Sequence, residues 1–119
     1  MSHAVTIRTQ VRDPLAVKSA CSRLNLQAPV FGLTSLFNVQ KLGWAVKLTG
    51  WQYPVVCDTD KGEIEFDNYE GKWGRQQELD QFLQAYAVEK AKIEARKSGY
   101  TATEQSLPDG SIRVRVQVT

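Results

Sequence analysis

The sequence predicts an α+β fold in which an antiparallel sheet of about six strands carries two helices on one face. The stretch from Gln76 to Ser98 has the spacing of a long amphipathic helix. Residues 3–12 and 112–118 alternate between apolar and polar side chains, as half-buried strands do. The expected order is strand, helix, three strands, helix, two strands, and residues 1–119 are expected to form a single domain.

The long helix carries a mostly apolar stripe that another layer must cover. Residues at steps of three and four form this stripe: Leu79, Phe82, Leu83, Tyr86, Lys90 and Ile93. Acidic residues in the first turns and basic residues in the last complement the helix dipole. Gly99 can adopt the left-handed conformation that ends a helix. We therefore expect Tyr86 to pack in the core rather than to react.

The other elements follow from alternation and turn residues. Asp13 is expected to cap a helix that starts at Pro14 and ends near Asn25. Strands are expected over residues 44–49, 53–58, 63–67 and 100–106. The last turn is predicted at Leu107-Pro108-Asp109-Gly110. Residues 26–41 fit a short strand, a loop or a hairpin arm, and the polar alternation of the terminal strands predicts one solvated sheet face.

Composition is that of an ordinary globular chain, with 42% hydrophobic and 24% charged residues and a net charge of +2. This charge is too small to indicate a nucleic-acid partner by itself. No apolar run approaches the roughly 20 residues of a membrane span, and the first residues lack the pattern of a signal peptide. We therefore expect a cytoplasmic protein that does not bind a membrane.

Cysteine and histidine are too few for a metal site. Cys21 and Cys57 are the only cysteines and His3 is the only histidine, whereas a zinc site needs about four ligands. The favoured interpretation is two buried, reduced thiols, although one disulfide is the alternative. We expect no metal and no cofactor.

Few residues are suited to catalysis, and none is assigned a catalytic role. Any nucleophile–histidine pair would have to use His3, and no glycine-rich phosphate loop is present. Glu63, Glu65 and Asp67 are expected on the outward face of one strand. Such a row can perform acid–base chemistry, but on a solvated sheet it is more commonly paired with arginines.

Arginines at both ends of the chain suggest a different activity. Arg8, Arg12, Arg113 and Arg115 would form a basic stripe if the first and last strands lay side by side. Binding of single-stranded nucleic acid also needs outward aromatic rings, whereas alternation directs Trp44 and Phe66 inward.

Several segments together carry a family resemblance. They are Met1-Ser2-His3, the strand with Thr9, the helix start at Asp13, Gln84-Ala85-Tyr86-Ala87, Gly99-Tyr100 and Asp109-Gly110-Ser111-Ile112-Arg113. Their order resembles domain-of-unknown-function family twelve fifty-seven, conserved hypothetical proteins of cyanobacteria, plastids and other bacteria. The chain differs between Leu26 and Gly50, where Val30-Phe31-Gly32-Leu33 replaces an Arg-Gly-Tyr-like stretch of the family. The resemblance implies no activity, because none is established for the family, and an association with photosynthetic biology for some members only.

The leading hypothesis is a non-catalytic domain that acts through a protein partner or through self-association. The residues expected at this contact are aromatic side chains in the apolar segment and the loops: Phe31, Phe37, Trp51, Tyr69 and Trp73. A nucleic-acid-binding module that uses the arginines is the second hypothesis, and an enzyme that uses the carboxylate row is the third.

Overall fold

Within residues 4–118, seven strands, two helices and one short 3-10 turn make up the fold. The structure is a computed structural model that describes residues 4–118, so His3 lies outside the described residues. The strands are β1 Val5–Arg8, β2 Val30–Ser35, β3 Gln40–Val46, β4 Val55–Asp58, β5 Glu63–Phe66, β6 Thr101–Ser106 and β7 Ile112–Gln117. The helices are α1 Pro14–Arg23 and α2 Gln76–Lys97, and the 3-10 turn is Tyr69–Gly71.

The strands form two separate antiparallel sheets. Five strands pair in the order β1-β5-β4-β3-β2, and β6 pairs only with β7. The α+β class and the antiparallel pairing are confirmed, whereas the prediction of one six-stranded sheet is wrong. The last strand does not reach β1, because the β6–β7 hairpin packs against α2 instead.

The segment that the sequence left open contains the first arm of a hairpin. β2 pairs with β3 over its whole length, from Val30 opposite Ala45 to Ser35 opposite Gln40. Four strands therefore lie between the helices, where three were predicted. The pattern of β2 was hard to recognise because Val30 and Phe31 place apolar side chains on opposite faces of the strand.

The core lies between the sheet and the two helices. Registered neighbours on β3, β4, β5 and β1 share the face that the helices cover: Trp44, Cys57, Ile64 and Ile7. The buried core cluster joins this face to residues of both helices, with Phe82 and Leu79 of α2 fully buried. Both helices thus pack on the same face of the five-stranded sheet.

Both helices begin and end close to the positions that their sequence signals indicate. The Asp13 side chain accepts a hydrogen bond from the backbone N–H of Leu15 at 2.9 Å, and Pro14 occupies the first turn. Asn25 has φ 58° after α1, and Gly99 has φ 76° after α2. The predicted capping residue of α1 and the predicted termination residues of both helices are therefore confirmed.

The Tyr86 hydroxyl connects α2 to the segment between β1 and α1. It accepts hydrogen bonds from the backbone N–H groups of Arg12 and Asp13, each at 3.1 Å. It lies 3.4 Å from the carbonyl of Gln10, to which it donates. Tyr86 is 6% exposed, so it packs as expected and also satisfies two backbone donors.

A cluster of ion pairs fixes the β6–β7 hairpin to the helices. Arg23 of α1 binds both carboxylate oxygens of Glu104, at 2.6 and 2.9 Å, and the Lys92 Nζ of α2 lies 2.8 Å from Oε2. These bonds lower the pKa of Glu104 to about 2. Glu104 and Ala102 lie on the same face of β6. Because Glu104 binds both helices, this face is directed toward the helices, and the hairpin does not lie beside β1.

Replacing Tyr86 by phenylalanine tests the hydroxyl connection. We expect Y86F to lower the free energy of unfolding by about 1–3 kcal/mol, because two partly buried N–H groups lose their acceptor. Urea denaturation measures this loss. Y100F is the matched control, since Tyr100 lies at the surface. Equal stability of Y86F and the wild type would contradict the assignment.

Replacing Glu104 by glutamine tests the ion-pair cluster. We expect E104Q to lower the free energy of unfolding by about 1–2 kcal/mol at pH 7, allowing for solvent screening. Because the folded-state pKa is lowered, the stabilisation is present above the unfolded pKa and is lost as the pH falls toward 2. Urea denaturation at pH 7, 5 and 3 should therefore show a shallower acid loss in E104Q than in the wild type. The control is the surface variant E70Q, whose loss of stability at acid pH should match that of the wild type.

Candidate interaction surface

The β2–β3 hairpin folds across the sheet face that the sequence predicted to be solvated. The Lys41 Nζ reaches over β4 to the Glu65 Oε2 on β5, at 2.9 Å. At the hairpin turn, the Phe37 ring lies 5.1 Å from the Trp73 ring, measured between centroids. Val56, on this face of β4, is consequently fully buried. The prediction of an open, solvated face is therefore wrong for the part that the hairpin covers.

The carboxylate row does not converge into a site. Glu65 and Asp67 are 9% and 1% exposed, whereas Glu63 is half-buried. Glu65 is paired with Lys41, not with one of the arginines. Asp67 uses one oxygen to accept the backbone N–H of Tyr69 at 3.1 Å, as at the start of an Asx turn. Two of the three carboxylates therefore have structural partners.

Trp51, which the sequence assigned to a partner contact, has a structural role. Its indole Nε1 donates to the carbonyl of Arg75 at 3.0 Å, and its ring meets Phe66 edge-on. Gly74 lies beneath the ring, where a Cβ would collide with it. Trp51 thereby holds the start of α2 against the sheet.

Three of the other predicted aromatic residues, Phe37, Tyr69 and Trp73, pack together with Tyr53, whereas the Phe31 ring packs on Trp44. The Trp73 ring contacts the rings of Phe37, Tyr53 and Tyr69, with centroid distances of 4.9–5.5 Å. The Lys72 ammonium lies 4.6 Å from the Tyr69 centroid. These contacts join the hairpin turn to the loop before α2, so Tyr69 and Trp73 support the hairpin rather than project freely. Phe37 remains 55% exposed.

The outer side of the hairpin carries three strongly exposed apolar side chains. Phe31, Leu33 and Leu42 are 56%, 70% and 55% exposed and share one face, which we call the hairpin surface. Trp44 continues it toward α1, where the Lys18 ammonium lies 5.0 Å from its ring centroid. Val30, 68% exposed, lies at the same edge but on the opposite face.

A cleft of about 720 Å³ borders the hairpin surface. β3 pairs with β4 only from Trp44 to Val46, so the backbone from Gln40 to Gly43 has no partner on that side. Phe31, Leu33 and Leu42 line the cleft together with residues 58–61. Gly43 allows the close approach of the two strands at its base, because a Cβ there would lie 2.5 Å from the carbonyl oxygen of Cys57.

The four arginines do not form one stripe. Arg8 and Arg12 lie at the end of the five-stranded sheet, where Arg12 donates to the carbonyl of Asp60 at 3.0 Å. Arg113 and Arg115 lie on β7 in the other sheet, on the face pointing away from Glu104 and α2. The side-by-side placement of the first and last strands, on which the stripe depended, is therefore wrong.

Both cysteines are buried and unbonded, which confirms the favoured interpretation. Burial raises the pKa of the Cys21 thiol to about 11 and that of Cys57 to about 12, so both stay protonated near neutral pH. Between residues 4 and 118, no group of three histidine, cysteine or acidic side chains is placed to hold a metal ion. Neither helix of that range is long and apolar enough to cross a membrane.

Comparison with known proteins adds no assignment: no family model, curated protein or solved structure matches this chain. The resemblance to domain-of-unknown-function family twelve fifty-seven therefore stays a prediction.

Sequence reasoning named Phe31 and Phe37 but missed Leu33 and Leu42. A usable signal was present, because Lys41 is the single charged residue between Val30 and Val46. A segment so poor in charge is typical of a core, yet this one forms a hairpin at the sheet edge.

Removing the charge of Lys41 tests how the hairpin is held. We expect K41M to lower the free energy of unfolding by about 1–3 kcal/mol, because Glu65 stays buried without its cation. The double variant K41M/E65Q should recover part of this loss. Chemical denaturation of both, with K61M as the matched surface control, measures the effect. A K41M variant as stable as K61M would show that the pair does not hold the hairpin.

Proposed function

We propose that this chain is a non-catalytic cytosolic domain that binds a protein partner through the hairpin surface. The observation that carries the proposal is the exposure of Phe31, Leu33 and Leu42 side by side on one face. Exposed apolar side chains that form a continuous patch on an otherwise ordinary domain are typical of interaction sites.

The rigidity of the hairpin favours binding over disorder. Lys41 and Phe37 anchor its outer half to the sheet, so the apolar side chains are held in place before a partner arrives. A preorganised surface loses less entropy on association. Burying one such side chain fully contributes roughly 1.5–3 kcal/mol, so three can support binding in the micromolar range once association costs are subtracted.

Catalysis has less support. Glu65 is the one member of the carboxylate row that borders the cleft, and Lys41 neutralises it. The other acidic residues of the lining are Asp58, at the end of β4, and Asp60, which is exposed in the turn that follows. Efficient acid–base chemistry needs groups that converge on a substrate within a pocket shielded from water.

The nucleic-acid hypothesis remains as a second proposal, now limited to β7. Arg113 and Arg115 are exposed and form no ion pair within residues 4–118. Their face of the hairpin carries threonine and glutamine side chains instead of aromatic rings. Without stacking, two arginines would support only weak, strongly salt-dependent binding.

Affinity purification with variants of the hairpin surface tests the leading proposal. Tagged wild-type protein and the variants F31S/L33S and L15S are used as baits in extracts of the organism that encodes the chain, and captured proteins are identified by mass spectrometry. Leu15 is an equally exposed apolar residue on α1 and serves as the matched control.

The expected result is a protein that wild type and L15S retain and F31S/L33S loses. Titration calorimetry with this purified partner should then show at least a tenfold weaker affinity for F31S/L33S, or about 1.4 kcal/mol. Retention by all three baits, with equal affinities, would place the contact elsewhere. Loss of captured RNA in an R113A/R115A variant, measured at two salt concentrations, would favour the second proposal instead.

A further inference from the structure

β2 is an edge strand that lacks the usual protection against pairing. It lies at the end of the five-stranded sheet, and its outer side has no partner strand in the described chain. Every second residue of such a strand directs its N–H and C=O groups away from the sheet. Edge strands are usually protected by charges, proline or a bulge, yet Val30–Ser35 contains no charged residue and no proline and pairs without a bulge.

The sequence of β2 is self-complementary about Gly32. Large apolar residues, Phe31 and Leu33, flank this glycine, and β-branched residues, Val30 and Thr34, follow on either side. Around a two-fold axis at this glycine, each residue meets the residue of the other copy that lies equally far on the other side of Gly32, so apolar side chains meet apolar ones. No atom lies within 4 Å of the position that a Gly32 Cβ would occupy, so the face of the strand opposite Phe31 and Leu33 is uncovered at its centre.

We propose that the partner is a second copy of this chain, joined by antiparallel pairing of β2 with β2 of that copy. Gly32 lies opposite Gly32 in this register, and Phe31 of each copy lies opposite Leu33 of the other. The proposal rests on the proposed function, because it names the partner of the hairpin surface.

This register places the apolar side chains where they bury one another. Residues directly opposite in an antiparallel pair point to the same face, so Phe31 and Leu33 of both copies form one four-residue cluster. Leu42 borders this cluster within each copy, because it lies opposite Leu33 on β3. The two five-stranded sheets become one ten-stranded antiparallel sheet, and both open β2 edges are removed.

Electrostatics favours a second copy over a charged partner. Lys41 is the only charged residue of the hairpin, and Glu65 of the same copy neutralises it. Two hairpins therefore approach without like-charge repulsion, and the net charge of +2 adds little at physiological ionic strength. One strand edge and a few side chains per copy give an interface at the small end of specific contacts, near 1,200 Å² or less. We expect a dissociation constant in the micromolar range.

Sedimentation equilibrium from about 1 to 300 μM measures the assembly. The wild type should move from the monomer mass of 13.4 kDa toward twice that mass as its concentration rises. F31E and L33K should each stay monomeric, because each homodimer would bury two unpaired charges. L15K, a charge placed on an exposed leucine of α1, should dimerise like the wild type. Circular dichroism confirms that every variant is folded.

Mixing the variants tests the register itself. An equimolar mixture of F31E and L33K should form a heterodimer, because one opposite pair becomes Glu–Lys and the other stays Leu–Phe. A mixture of F31E with L42K, whose lysine lies one strand further away, should not recover dimerisation.

Each outcome decides a separate point. A wild type that remains at 13.4 kDa up to 300 μM would overturn self-pairing, while a heterologous protein lost by F31S/L33S would leave the proposed function intact. Dimers that persist in F31E and L33K would overturn β2 as the contact. Recovery with L42K but not with L33K would overturn the register.

Discussion

The rest of the structure depends on one arrangement, in which the β2–β3 hairpin lies across one face of the sheet. Gly43 lets β3 lie against Cys57, and the Lys41–Glu65 pair holds the outer half of the hairpin over β4. This arrangement buries Val56 and exposes the opposite side of the hairpin. The sheet face that the hairpin covers would otherwise be solvated, and it becomes part of the interior. The outer side of the hairpin is as apolar as a core face, yet it lies at the surface. The hairpin therefore buries the Glu65 carboxylate and leaves Phe31, Leu33 and Leu42 at the surface.

Local signals predicted the elements well, and long-range contacts decided how they assemble. Asp13 with Pro14, and Gly99 after α2, are recognisable without knowledge of the rest of the chain. The β6–β7 turn and its two strands were also predictable from Pro108 and Gly110. That these two strands form a sheet of their own was not predictable, because their position depends on the contact of Glu104 with Arg23, 81 positions earlier. No periodic pattern in the sequence predicts this contact between two distant residues.

The candidate site was only partly predictable for a related reason. Alternation assigns each residue of a strand to a face but does not say whether that face is covered. Glu65 lies on the face of β5 that the hairpin covers, where it is buried and paired with Lys41. Loop aromatics such as Trp51 suggested a contact, whereas ring packing and an indole hydrogen bond give it a structural role. The remaining candidate, the hairpin surface, depends on the exposure of Leu33 and Leu42, which alternation alone does not predict.

The position of β1 has a consequence for the order of folding during synthesis. β2 to β5 pair with their neighbours in the chain, so these strands can assemble as they leave the ribosome. β1 is made first, yet its partner is β5, with Val5 opposite Phe66. At translation rates of 5–20 residues per second, the first strand waits roughly 3–12 s for its place in the sheet. The Tyr86 hydroxyl, made later still, can only then bind the segment after β1, so β1 is secured long after it is made.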